Sequence, residues 1–69
     1  TDAEAAYDLG AVLWRRNDYV QAARMFERAL LVDPNHAEAL RWLTRARREA
    51  ARLEAELLRE RQLPAAPLG

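Results

Sequence analysis

Two pairs of turn-forming residues interrupt this chain, and a long interval without any such break follows them. Asn17-Asp18 and Asp33-Pro34 end helical stretches, because Asn and Asp favour turns and helix N-caps, and Pro disfavours the helical conformation of the residue before it. The next break of this kind is Leu63-Pro64. The spacing predicts three helices, at about 3–16, 19–31 and 36–63. The third would be roughly 42 Å long, against roughly 21 Å for the first.

The composition is typical of a small all-α domain. Ala, Leu, Arg and Glu, all good helix formers, dominate its 69 residues. A chain of this length buries only about 60% of the surface that its unfolded form exposes. Basic and acidic side chains balance at 11 each, which excludes the bulk charge of a dedicated nucleic-acid coat. We expect one domain over residues 1–63 and a disordered, proline-containing tail over residues 64–69.

Several kinds of site are excluded by the residue types that the chain lacks. It has no cysteine, and its single histidine, His36, cannot build a zinc site alone. The usual nucleophiles of acyl transfer are largely missing, since Ser, Cys and Lys are absent, and no glycine-rich phosphate loop is present. We therefore predict no enzymatic activity, no metal site and no cofactor. No apolar run is long enough for a membrane span and no leader pattern is visible, so the cytoplasm is the default location.

Small residues predict a close crossing of the first two helices. Gly10, Ala22 and Ala29 lie on the inward faces that the three-and-four spacing of the apolar residues defines. Larger side chains are expected to fill the core around this crossing: Leu9, Leu13, Tyr19, Phe26 and Leu30.

Two N-cap signatures mark the starts of the first and third helices. Thr1 followed by Glu4 fits a capping box, and Asn35 with Glu38 has the same form. We expect His36, which follows Asn35 directly, to be a surface residue.

The first two helices together resemble a known repeat. The residues that carry the likeness read Ala6-x2-Leu9-Gly10-x2-Leu13, then Ala22-x3-Phe26, Ala29 and Pro34. This pattern resembles the tetratricopeptide repeat, a helix–turn–helix unit of about 34 residues. The resemblance implies that residues 3–36 fold as a helical hairpin and that the chain is a non-catalytic protein–protein interaction module or scaffold.

The third helix begins like the first helix of a second repeat and then departs from it. Leu40 and Leu43 fit the pattern, but Thr44 takes the glycine position and Arg47 the tyrosine position, and no turn follows at 51–54. The resemblance therefore covers one repeat plus a long third helix, which in the family caps the stack.

The third helix carries an apolar stripe that is longer than the hairpin can cover. Its members continue the three-and-four spacing of a coiled-coil seam or flank it: Trp42, Leu43, Ala46, Ala50, Leu53, Leu57 and Leu58. We predict that the chain forms a homodimer or a higher oligomer through these residues. The alternative is that the helix bends back or frays, with its residues from Leu53 onward in solvent.

Aromatic and arginine side chains predict a peptide-binding face. The resemblance implies that ligands lie on a concave surface made by the first helix of each unit, which here offers Tyr7, Trp14, Arg15, Arg41, Arg45 and Arg48. Such a set could hold an acidic or aromatic peptide segment. The alternative is a solvated arginine face with Trp14 packed against an oligomer partner.

Nucleic-acid binding is the alternative function from a different class. Five arginines lie between Arg41 and Arg52, and a basic helix can follow a phosphate backbone. However, Glu54, Glu56 and Glu60 come immediately afterwards. The sequence therefore favours a protein partner over a nucleic acid.

Overall fold

A computed structural model describes residues 1–62 as three α-helices. They are α1 (Asp2–Arg15), α2 (Tyr19–Val32) and α3 (Ala37–Gln62), each within one residue of the predicted bounds. The middle helix α2 packs against both α1 and α3. The predicted all-α architecture, a helical hairpin followed by a longer helix, is confirmed. The predicted tail over residues 64–69 lies outside the described residues.

Short-range hydrogen bonds fix the start of α1 and the turn into α2. The Thr1 hydroxyl accepts from the Glu4 amide at 3.3 Å, and the Asp18 carboxylate accepts from the Gln21 amide at 3.4 Å. Asn17 has a φ of 64°, a left-handed conformation that Asn tolerates better than most side chains. These contacts make the tight turn that the Asn17-Asp18 pair predicts.

The predicted N-cap of α3 is wrong by one residue. His36, not Asn35, caps the helix: its Nδ1 atom accepts from the Ala39 amide at 3.0 Å. Asn35 instead donates its backbone N–H to the Asp33 carboxylate at 3.1 Å. The Asp33 side chain therefore holds Asn35 in the turn, and α3 begins after His36. Half-buried His36 thus has a structural role as the N-cap.

Phe26 lies at the centre of the core and explains the glycine of α1. Its side chain is fully buried, and the remaining buried side chains around the α2 seam are small or aliphatic: Ala22, Ala23, Ala29, Ala39, Leu43 and Ala46. A Cβ atom built on Gly10 would lie 2.6 Å from Cε1 of Phe26. The predicted close crossing of α1 and α2 at Gly10 is therefore present, and only a residue without a side chain fits there.

Leu9 was expected in the core, and the structure places it outside. Ala3, Ala6 and Gly10 are the buried residues of α1, whereas Leu9 is 48% exposed. The small residues form the contact because they allow α1 and α2 to approach closely, which turns Leu9 onto an outer groove that it shares with Val32. Helical spacing alone did not distinguish the centre of the apolar stripe from its edge.

Candidate functional site

An aromatic cleft lies between α1 and α3. Tyr7 and Trp14 of α1 form its walls together with Trp42 of α3, Ala11 lies between the two α1 side chains, and Arg15 borders the opening. Its volume is about 180 Å³. The two indole rings meet edge to face, with centroids 5.2 Å apart and planes at 71°. Three large aromatic side chains thus surround a concavity that exists because residue 11 is small, and we call this concavity the aromatic cleft.

Arginine side chains border the aromatic cleft on the α3 side. The guanidinium carbon of Arg45 lies 4.8 Å from the centre of a Trp42 ring, which is cation–π geometry. Arg41 lies one turn earlier on the same face and close enough for its charge to act on the Tyr7 hydroxyl. Arg48 is exposed and does not line the cleft. Of the six residues predicted for peptide binding, five therefore lie in or beside the cleft.

Tyr7 connects the aromatic cleft to the start of α3. Its hydroxyl donates to the Glu38 carboxylate at 3.0 Å, and its ring lies 5.0 Å from that of His36. Burial raises the pKa of the Tyr7 hydroxyl, and the hydrogen bond to Glu38 raises it further. The hydroxyl therefore stays protonated below pH 10. Glu38 and Arg41 place charges of both signs at the Tyr7 end of the cleft, and Arg15 and Arg45 lie beside Trp14 and Trp42.

Sequence reasoning assigned Trp42 to the oligomer surface and missed its place in the cleft. The residue is half-buried and contacts Trp14. Glu38, Trp42 and Arg45 follow one another at spacings of four and three, which places them on one face of α3. That spacing was the available signal, but the proximity of this face to Trp14 depends on how α1 and α3 both pack on α2.

The second candidate region is the C-terminal half of α3. Every residue from 51 to 62 is exposed, including Leu53 (38%), Leu57 (58%) and Leu58 (45%). Leu58 lies on a different face from the other two leucines, beside Ala55. We call residues 51–62 the overhang, because α3 has 26 residues whereas α1 and α2 have 14 each.

Part of the predicted oligomer surface is not available to a second molecule. Leu43 and Ala46 are buried against the hairpin, at 5% and 0% exposure. Ala50 is half-buried where the hairpin ends. The prediction for Leu43 and Ala46 was wrong because the hairpin covers the first half of the apolar stripe, whereas Leu53 and Leu57 remain exposed.

A notch of about 350 Å³ lies between the start of α2 and the start of the overhang. Its walls come from the α1–α2 turn with the start of α2, and from α3: Asn17, Asp18, Tyr19, Val20, Ala50, Leu53, Glu54 and Leu57. Apolar atoms dominate its lining, and two carboxylates, those of Asp18 and Glu54, stand at its edge. We call this feature the α2–α3 notch.

The sequence of the hairpin matches the sequence model of one family. The match covers residues 3–36 and is to the tetratricopeptide repeat. The chain carries a tetratricopeptide repeat. No curated protein matches the chain, and no solved structure does. Because these repeats mediate contacts between proteins, the aromatic cleft and the overhang with its adjoining α2–α3 notch are candidate protein-binding surfaces.

The tetratricopeptide repeat is followed by α3 in place of the first helix of another repeat. Two of the five arginines between Arg41 and Arg52 make ion pairs there: Arg47 with Glu27 of α2 at 3.1 Å, and Arg52 with Glu49 at 2.7 Å. Within residues 1–62 no cluster of three or more His, Asp or Glu side chains could hold a metal ion. None of the three helices in that range has the length and apolarity needed to cross a membrane.

Proposed function

We propose that this chain is a non-catalytic protein-interaction module that self-associates through the overhang of α3. The observation that carries the proposal is the uninterrupted exposure of residues 51–62 on a helix that is apolar along one side. A helical segment of this length is marginally stable in water unless its apolar side packs against something. Burial of each leucine would contribute about 1.5–3 kcal/mol.

The size of the domain supports the same proposal. Repeats of this type normally stack in groups of three or more, because one unit cannot bury its apolar faces alone. Within residues 1–62 a single repeat has one additional helix, and the core of this part of the chain contains only one large fully buried side chain, Phe26. A second copy would supply the apolar contact area that one copy lacks. The expected product is a homodimer, with higher oligomers as the alternative.

Sedimentation equilibrium tests the self-association. The wild type is expected to show a mass that rises with concentration, and Leu53→Glu/Leu57→Glu is expected to remain a monomer. Ala51→Glu/Ala55→Glu is the matched control, because it adds the same two charges to exposed positions on the opposite side of the overhang. A wild type that stays monomeric at millimolar concentration, or a control as defective as the leucine variant, would contradict the proposal.

The aromatic cleft supports a second function, capture of an acidic peptide segment. Its aromatic walls offer apolar contact, and Arg15, Arg41 and Arg45 offer charge-assisted hydrogen bonds to carboxylates. The stacking of Arg45 on Trp42 favours this function because it holds the guanidinium at the cleft without a carboxylate partner within the described residues.

Indole resonances provide the test of peptide capture. Titration with a short peptide that contains Glu and Phe should shift the indole N–H signals of Trp14 and Trp42. The same titration with a Gln and Phe peptide should produce weaker shifts, and Arg45→Gln should reduce the difference between the two peptides. Equal shifts with both peptides, or none with either, would contradict a site for acidic segments.

Nucleic-acid binding remains the alternative through the arginines of α3. The ion pairs of Arg47 and Arg52 reduce the charge available to phosphates, and this favours a protein partner. Binding to duplex or single-stranded DNA with an affinity that falls steeply with salt would support the nucleic-acid function instead.

A further inference from the structure

We propose that the α2–α3 notch is the binding site for the overhang of a second copy. The two α3 helices then run antiparallel, with the two hairpins at opposite ends of the dimer. The inference rests on the proposed self-association and specifies its geometry. Three features of the described residues carry it: the side of α3 on which the leucines lie, the place where the hairpin ends, and the charges at the notch.

The first feature is the side on which Leu53 and Leu57 lie. They continue the spacing of Leu43, Ala46 and Ala50, which pack against the hairpin or lie at its edge. The exposed leucines are therefore on the same side of α3 as the hairpin. A partner helix that covers them must therefore enter the space beyond the N-terminal end of α2, next to the α1–α2 turn.

This placement decides between the two orientations. In a parallel pair, the first half of each α3 would lie alongside that of the other, on the side already filled by α2. The two hairpins would then need the same space. In an antiparallel pair, each overhang extends into the open space beyond the α1–α2 turn of the other copy, and no such collision arises.

The exposed leucines set the register, and the end of the hairpin bounds the notch that receives them. Val20 and the Asn17-Asp18 turn close the end of the notch that lies next to Ala50. A partner overhang covers the exposed leucines of both copies when Leu53 of one copy faces Leu57 of the other. The two-fold axis then crosses α3 near Ala55.

Charge complementarity agrees with this register. Asp18 and Glu54 give the notch an acidic edge, and the last described turn of α3 carries two arginines, Arg59 and Arg61, against one carboxylate, Glu60. In the antiparallel register the Arg61 side chain of one copy enters at the level of Asp18 and Ala50 of the other. Opposite charges thus meet where the helix end reaches the turn, an arrangement that guides orientation and encounter.

A substitution on α2 tests the notch without altering α3. Val20 is 53% exposed and lines the notch, whereas Leu31 is 85% exposed on the same helix and does not line it. Val20→Glu should raise the dissociation constant of the dimer about tenfold or more, and Leu31→Glu should leave it unchanged. These effects would be measured by sedimentation equilibrium, with circular dichroism as the check that both variants fold.

Spin labels on introduced cysteines measure the orientation, since the chain has no cysteine of its own. Label pairs at Thr44→Cys should lie about 33 Å apart along the helix axis in the antiparallel dimer. In a parallel dimer the same positions would be abreast, at an interaxial distance of about 8–10 Å plus the label arms. Labels at Glu56→Cys, near the proposed two-fold axis, should be close in the antiparallel dimer.

The outcomes separate this inference from the proposed function. A long distance at residue 44 with a short one at residue 56, and a weakened Val20→Glu dimer, support the antiparallel binding site. Short distances at both positions, or equal affinities of Val20→Glu and Leu31→Glu, overturn it but leave self-association standing. A monomer at every concentration overturns both.

Discussion

The two halves of α3 have the same kind of sequence and opposite environments. In residues 37–50 the apolar stripe is buried, with Ala39 and Ala46 at 0% exposure. In residues 51–62 the stripe continues through Leu53 and Leu57, and every residue is exposed. The difference comes from the 14-residue helices of the hairpin, which end at the level of Ala50. Burial along α3 is therefore set by the length of the neighbouring helices and not by a change in the helix itself.

The largest effect on stability is expected at Phe26, against which the buried half of α3 packs. Phe26→Ala should lower the free energy of unfolding by about 3–5 kcal/mol, because a fully buried aromatic ring is replaced by a cavity. For a domain of this size the loss approaches the total stability. Urea denaturation followed by circular dichroism measures it, with Leu31→Ala, an exposed position on the same helix, as the control. An unchanged transition midpoint for Phe26→Ala would contradict the packing described.

A pair of leucines compares the two halves of α3 directly. Leu43→Ala should destabilise the protein by about 2–5 kcal/mol, since its side chain is buried against Phe26. Leu57→Ala, in dilute solution where the chain is a monomer, should change stability by less than about 0.5 kcal/mol. Equal losses for the two variants in dilute solution would mean that the overhang folds back onto its own hairpin, which is the alternative to self-association.

One repeat position sharpens the comparison between α1 and α3. Gly10 and Thr44 lie 34 residues apart, at the same position of successive units. In Gly10→Ala the contact of the added methyl group with Phe26 should cost about 1–3 kcal/mol of folding stability. The higher helix propensity of Ala offsets up to about 1 kcal/mol of this cost, so the net effect is destabilising. Thr44→Ala, at an exposed position, should stabilise by a few tenths of a kcal/mol, about the propensity difference. Thermal melts check the signs, and a stabilising Gly10→Ala would show that Phe26 can move.

The smallest effect is the pH dependence that Tyr7 confers at the start of α3. Burial and the hydrogen bond to Glu38 raise its pKa in the folded protein above 10, its value in the unfolded chain. The stabilisation from this group is therefore complete below pH 10 and is lost as the pH rises through the higher folded-state pKa. Wild type should lose more stability than Tyr7→Phe as the pH is raised above 10, as measured by urea denaturation. Identical pH profiles would contradict a Tyr7–Glu38 hydrogen bond in solution.

Local sequence signals predicted most of the fold. The Asn17-Asp18 and Asp33-Pro34 breaks gave the helix bounds to within one residue, because turn and cap preferences act over three or four neighbouring residues. Gly10 with Phe26 was predictable from the family pattern. These features depend on short spacings that a single sequence displays.

The errors concern residues whose environment depends on distant elements. Leu9 and Leu43 occupy the same position in successive units, yet Leu9 is 48% exposed and Leu43 5% exposed, because α1 and α3 pack on α2 through different faces. Trp42 was assigned to the oligomer surface, and its contact with Trp14 could not be read from spacing within α3. Asn35 fits the cap pattern, but its amide donates to the Asp33 side chain, and this competing turn leaves the cap to His36.

Amide hydrogen exchange in the overhang tests self-association most directly. We expect the protection of residues 51–62 to increase with protein concentration in the wild type, as a second copy covers Leu53 and Leu57. In Leu53→Glu/Leu57→Glu the same amides should exchange at one rate across the whole concentration range. Wild-type amides that exchange at a rate independent of concentration, as fast as in that variant, would show that no second molecule covers the overhang.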